Sequence, residues 1–131
     1  MKHQAPSVQR VMINGPAGLI EALVERPQIA VAGTVAVCCH PHPLYGGTMQ
    51  NKVVHTLARA AQDQGVTSLR FNFRGVGGSG GTHDKGEGES DDAAAVAGWC
   101  RRELGAGTLW VLGFSFGSYV AFRLAVAREA Q

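Results

Sequence analysis

The chain has 131 residues, 45% of them hydrophobic and 17% charged, with 12 basic against 10 acidic side chains and a formal net charge of +2. That is one ordinary globular domain with enough apolar mass for a core, and it excludes a disordered chain. No basic block points to nucleic acid and no basic amphipathic segment points to a membrane surface, so neither partner is expected. The N-terminal MKHQAPSVQR lacks the apolar core of a signal peptide, and no run approaches the roughly 18 apolar residues of a membrane span. A cytoplasmic location is therefore expected.

In chain order, VQRVMIN (8–14) and LIEALVER (19–26) flank the turn-rich NGPAG and predict an antiparallel hairpin at a sheet edge. Pro27 and Gly33 bracket a joining loop. TVAVCC (34–39) is a short apolar run, which predicts a buried parallel strand ending at His40. The loop HPHPLYGG (40–47) follows. From Thr48 to Gln64 the spacing predicts a helix, with Val53, Val54, Leu57, Ala58 and Ala61 on one face and Gly65 as its stop. VTSLRFNF (66–73) predicts a strand with Leu69, Phe71 and Phe73 on one face and Arg70 and Asn72 on the other. That polar pair, on a strand expected to be buried, is expected to brace neighbouring loops.

The glycine loop RGVGGSGGTHDKGEGE leads to a second helix, with Ser90 as its expected cap and Asp91 and Asp92 in its first turn. Ala93, Val96, Ala97, Trp99 and Cys100 are periodic within it, and Gly105 ends it. TLWVLGF (108–114) predicts a strand and SFGSYVAFRLAVAREA (115–130) a helix. The order is ββ and then β-α-β-α-β-α. It predicts an α/β fold with a mostly parallel sheet of about five strands and helices on both faces, in a single domain spanning 1–131.

The three cysteines, Cys38, Cys39 and Cys100, form no CxxC pair and read as small buried hydrophobes in a reducing compartment. The chemistry lies elsewhere, in a serine. GFSFG (113–117) matches G-x-S-x-G, but so does GGSGG (77–81). Only the first stands between a strand and a helix, the setting a nucleophile elbow needs for a sharp turn. The bland reading of Ser115 is a helix N-cap. The elbow reading makes it a nucleophile at a helix N-terminus, where the helix dipole and free N–H groups favour developing negative charge. One oxyanion donor would be the N–H of Phe116. A second would come from the loop after an earlier strand, and HPHPLYGG stands there. His42, Leu44 or Tyr45 could present it, with Leu44 favoured.

Two further patterns weigh less. His40 and His42 could ligate a metal, but zinc wants three or four ligands, and His83 and Asp84 do not clearly complete the set. Gly75, Gly77 and Gly80 spell G-x-G-x-x-G, yet they neither follow the first strand nor open a helix, so no nucleotide is expected. No cofactor is called for. His55 falls off the apolar helix face and is expected in solvent, and His3 in a mobile tail.

A serine nucleophile needs a base. Only 14 residues follow Gly117, and they hold no histidine. The one acid among them, Glu129, lies about 21 Å down a helix from Ser115, too far to pair with it. An upstream histidine, His40, His42 or His83, could approach in a rearranged triad. The favoured expectation places the base and its acid beyond residue 131.

HPHPLYGGTMQNKVV after the third strand, RFNFRGVGGSGG after the fourth and GFSFGSYVA after the fifth agree in order and spacing with one family. The chain resembles the N-terminal part of an α/β-hydrolase, specifically the small, lid-less bacterial hydrolases of dienelactone-hydrolase-like type. The resemblance covers residues from about 34 to 123. It implies sheet order 1-2-4-3-5, Ser115 as nucleophile, an oxyanion hole from Phe116 and the His42–Tyr45 loop, and a site lined by His42, Tyr45, Gly46 and Gly75. Family members continue with three more strands, an acid and a histidine, so the chain is expected to be an incomplete fold whose fifth strand is an exposed apolar edge, open to self-association. The function expected is hydrolysis of carboxylic-ester-type bonds in a small molecule. The alternative is a catalytically incomplete fragment that acts, if at all, as a binding or interaction protein.

Overall fold

The computed structural model of the chain describes residues 2–3 and 7–129. The chain order is β1 (Lys2–His3), β2 (Ser7–Gly15), β3 (Gly18–Arg26), β4 (Ile29–Ala30), β5 (Thr34–Cys39), α1 (Lys52–Asp63), β6 (Thr67–Phe71), α2 (Glu87–Leu104), β7 (Thr108–Gly113) and α3 (Phe116–Glu129). Five strands form the main sheet in the order β2-β3-β6-β5-β7. Numbered among themselves these read 1-2-4-3-5, as expected. The sheet is mixed: β3 runs antiparallel to β2 and β6, while β5 runs parallel to β6 and β7.

The hairpin turns on two residues, with Gly15 opposite Gly18. Alternation then decides the faces. Ile20, Ala22 and Val24 are buried on one face, with Leu69 and Phe71 from the neighbouring strand and Phe73 just beyond it. α2 and α3 cover that face through Ala93, Val96, Ala97, Cys100, Val120, Ala121 and Leu124. α1 covers the other face, setting Val54, Ala58 and Ala61 against Ala36, Cys38, Val66 and Leu112. Helices thus lie on both faces, as a crossover-linked sheet requires.

Three local expectations are corrected. Val53 is 38% exposed, because α1 begins only at Lys52 and its buried stripe runs Val54, Ala58, Ala61. Asn51 caps that helix by accepting from the N–H groups of Val53 and Val54. Ser90 is not a cap: α2 starts at Glu87, and the Ser90 hydroxyl donates to the Gly86 carbonyl at 2.7 Å. His3 is not in a loose tail, because Lys2–His3 pairs with Ile29–Ala30. His55 is exposed, as its helical position implies. The expected helix end at Ala130 lies outside the described residues.

β7 pairs only with β5 and forms one edge of the sheet among the described residues. Beside it α3 is apolar on two sides. Val120, Ala121 and Leu124 are buried, while Tyr119, Phe122 and Val126 are 50%, 68% and 49% exposed. No helix among the described residues is long and apolar enough to cross a membrane.

Candidate active site

β7 carries the chain to the edge of the sheet and α3 begins at Phe116, so Phe114 and Ser115 form the whole turn between them. Ser115 has φ of 57°, in the left-handed region that a non-glycine residue adopts at a cost of about 1 kcal/mol or more. Backbone bonds hold it there: Gly117 N–H donates to Phe114 O at 3.0 Å and Ser118 N–H to Ser115 O at 2.9 Å. The flanking glycines are steric necessities. A Cβ on Gly117 would collide with the carbonyl of Cys39 at the end of β5, and one on Gly113 with the carbonyl of Gly117. Ser115 itself is exposed. Phe116 is the first helical residue, so its N–H has no acceptor within the helix and stands at the positive end of the dipole.

The loop after β5 closes on itself through a short 3-10 turn over Pro43–Tyr45, ended by Gly46 at φ 78°. Leu44 N–H donates to His42 Nδ1 at 3.1 Å, and Tyr45 N–H to His42 O at 3.1 Å. Both are therefore engaged inside the loop, including the one favoured from sequence. Of the three residues weighed as second donor, His42 is the one whose backbone N–H makes no hydrogen bond among the described residues. Its ring meets Phe116 at 5.1 Å, Tyr45 at 5.3 Å and His83 at 4.5 Å between centroids. Two loops, those after β5 and β6, thus converge on the residue after Ser115.

His40 is wholly buried. Its Nδ1 donates to Pro41 O at 2.7 Å, and its Nε2 accepts from Phe73 N–H at 3.0 Å. Burial pushes its pKa down to about 4, and a second ring proton would face the Phe73 N–H. Both nitrogens are occupied, so His40 joins the ends of β5 and β6 and has no lone pair for a metal. No three His, Cys, Asp or Glu among the described residues are placed to hold a metal ion. The cysteines are free and buried, and burial pushes Cys38 and Cys100 up to about 12 and Cys39 upward as well. Thiols so protonated are poor nucleophiles.

Arg70 on β6 and Asn72 just beyond its end brace the loops, as expected. Arg70 Nη2 and Nε donate to Glu25 Oε1 at 2.7 and 3.0 Å, and Nη1 donates to Met49 O at 2.8 Å. Asn72 Oδ1 accepts from Met49 N–H at 2.9 Å, and its Nδ2 donates to Glu21 Oε1 at 2.8 Å. Glu21 also accepts from Gly78 N–H at 2.7 Å and from Arg10 at 2.8 Å. The Gly78 N–H above all, then Arg10, holds the Glu21 carboxyl below its usual range. One carboxylate on β3 thereby ties together the loops that follow β5 and β6.

GGSGG is explained by the same network. Ser79 is 7% exposed, and its hydroxyl donates to Asn72 O at 2.7 Å while accepting from Glu21 N–H at 2.9 Å. A Cβ on Gly77 would lie 2.5 Å from Asn72 Nδ2. The glycines let this loop close on Glu21 and Asn72. They do not open a helix, since α2 starts at Glu87.

Asp92, expected in the first turn of its helix, lies in the second because α2 starts at Glu87, and its burial, like that of Glu89, was not found from sequence. Asp92 takes Arg74 through Nη2–Oδ1 at 2.8 Å and Nε–Oδ2 at 3.1 Å. Glu89 Oε1 accepts from Gly86 N–H at 2.9 Å and its Oε2 from Asp84 N–H at 2.8 Å, and His83 Nδ1 stands 3.0 Å from Oε2 without a hydrogen bond. Burial works to raise the Glu89 carboxyl, but the backbone donors and the nearby His83 outweigh it and hold it ionised. The available signal was the i, i+3 spacing of Glu89 and Asp92, which puts both on one helix face below the glycine loop.

Sheet order, crossover helices and the strand–turn–helix around GFSFG define the α/β-hydrolase class of fold. A family model for that fold matches residues 39–128, and the chain belongs to the family. An uncharacterized protein of Rickettsia prowazekii is 43% identical over 120 residues, which is 91% of this chain and 50% of that protein. A crystal structure of a serine hydrolase without lid from Xanthomonas campestris is 44% identical with a TM-score of 0.88, covering 98% of this chain and 60% of that one. A serine hydrolase homologue from Coxiella burnetii is 44% identical with a TM-score of 0.87, covering 92% and 58%. The chain therefore spans between half and about three-fifths of the length of these relatives.

Proposed function

We propose that the chain carries the nucleophile half of a serine acyl hydrolase acting on carboxylic-ester-type bonds. The observation that carries the reading is the left-handed, exposed Ser115 at a turn whose two glycines cannot be replaced. In this reading Ser115 Oγ attacks the ester carbonyl carbon. The developing oxyanion takes hydrogen bonds from Phe116 N–H and from the loop after β5. There His42 N–H is unengaged, whereas Leu44 N–H would first have to leave the His42 ring. The Ser115 proton passes to a histidine oriented by an acid, the alcohol leaves, and water then releases the acyl group. Base and acid come from outside residues 1–131, a reading that the greater length of the relatives supports.

The test is a fluorophosphonate probe applied to this chain, to a fusion continuing it with the remaining part of the Xanthomonas campestris hydrolase, and to Ser115→Ala of each. The expected outcome is labelling of the fusion at Ser115 only, and none of the 131-residue chain. Absence of labelling in a folded fusion refutes the nucleophile assignment.

The rival reading, an interaction protein, has one observation in its favour: the exposed β7 edge beside the outer face of α3. We propose that this surface pairs with a further strand, from the same polypeptide or from a second copy. Sedimentation that finds a monomer at all concentrations excludes the second copy.

A further inference from the structure

Beside the elbow lies a cleft of about 480 Å³ between loops 43–48 and 74–83. That volume is in the range of small-ligand sites. His83 lines the cleft, and its ring lies 5.6 Å from the Phe116 ring and 4.5 Å from that of His42. His83 thus touches both the cleft and the residue that follows Ser115. A second depression, about 420 Å³, lies at the other end of the sheet beside Thr34, Thr67 and Leu104, away from Ser115.

We propose that the cleft is a subsite for an uncharged acyl or alkoxy group and rejects a free carboxylate. That the ligand is a substrate rests on the Ser115 reading. That it is uncharged rests on the walls alone.

The ionisable lining residues are Arg74 and His83, and each already faces a buried carboxylate of α2. Arg74 holds Asp92 with two nitrogens and donates to Gly88 O at 2.8 Å, and the two side chains are only 13% and 1% exposed. Around these walls, loop 74–86 and the start of α2 carry Arg74 and Lys85 against Asp84, Glu87, Glu89, Asp91 and Asp92, with Glu87 paired to Arg123. A carboxylate entering the cleft would shed water and find no lining cation that does not already face a carboxylate. It would have to break a buried ion pair or stay unpaired, and both are costly. A neutral ester pays neither cost. Pro43, Leu44 and Val76 offer it apolar contact, and the Thr48 and Thr82 hydroxyls can serve its oxygens.

The test reads binding rather than turnover. Backbone amide shifts of Gly75, Gly77, Gly81 and Thr82 are followed while the protein is titrated with methyl butyrate and, separately, monomethyl succinate, at about pH 7.5 where the latter is a monoanion. The neutral ester is expected to half-saturate these shifts at a concentration at least about tenfold lower than the monoanion, in the wild type and equally in Ser115→Ala. Leu44 is 76% exposed on the rim, so Leu44→Lys adds an unpaired cation without disturbing the core. It should narrow the ratio to about threefold or less. Equal or better binding of the monoanion to the wild type overturns the proposal. So does a neutral ester that leaves these amides unmoved, or a ratio unchanged in Leu44→Lys. Failure of Ser115 to label would mean that the bound ester is not a substrate, while the tenfold preference would still hold.

Discussion

Two pentapeptides in this chain share one spelling and have opposite physics. GGSGG and GFSFG both match G-x-S-x-G. In the first, Ser79 is 7% exposed and its hydroxyl is used twice, by Asn72 and Glu21. In the second, Ser115 is exposed and held at φ 57°. The glycines differ in the same way. Around Ser79 they admit the side chains of a polar brace, and around Ser115 they let backbone meet backbone where α3 crosses the end of β5. One serine is a structural part, and the other sits in a strained turn with its side chain in solvent. The pattern of letters carries no chemistry until the flanking elements are known.

The contrast can be broken by substitution, and Gly117→Ala should have the largest effect. Its methyl would meet the Cys39 carbonyl, and backbone on both sides cannot yield cheaply. We expect a loss of about 3 kcal/mol or more by urea denaturation, or failure to fold. Next is the pH response of the buried His40, which ties the end of β5 to the start of the loop that carries Ser79. Its folded pKa of about 4 lies below the ordinary 6.5. Its contribution is therefore whole above pH 6.5 and is lost as pH falls through 4. The limiting loss is about 3 kcal/mol, and His40→Ala should abolish this part of the pH dependence while lowering stability at neutral pH.

Ser79→Ala should cost about 2 kcal/mol, because it strands the Glu21 N–H and the Asn72 carbonyl in a buried place. Ser115→Ala should change stability by no more than about 0.5 kcal/mol, since its exposed hydroxyl holds nothing. A stability loss in Ser115→Ala as large as that in Ser79→Ala would erase the distinction between the two serines.

Much of the architecture was legible in the sequence because it is written in short-range periodicity. Alternation along 66–73 set the faces of the central strand, and the 3.6-residue pattern of Ala93, Val96, Ala97 and Cys100 set the face of α2. Helix starts were less legible. Ser90 looked like a cap, but the Glu89 carboxylate takes the Gly86 N–H and moves the start of α2 a turn earlier. The two-residue pairing of β1 with β4 is too short to leave a pattern.

In the site, the elbow was visible because it is local: strand, tight turn and helix follow one another. Arg70 and Asn72 were visible as misfits on a buried strand, although their partners were not. Glu21 lies 51 residues from Asn72, and Asp92 lies 18 from Arg74. Periodicity reports which face a residue occupies, and nothing in it says which distant chain will pack there. The second oxyanion donor was equally hidden, because it depends on which loop N–H groups are already engaged.

The most direct test of the central claim is mass-spectrometric mapping of the fluorophosphonate adduct on the folded fusion protein. The account predicts a single adduct on the peptide bearing Ser115, unchanged in Ser79→Ala and absent in Ser115→Ala. An adduct on Ser79, or none anywhere on this chain, would contradict it.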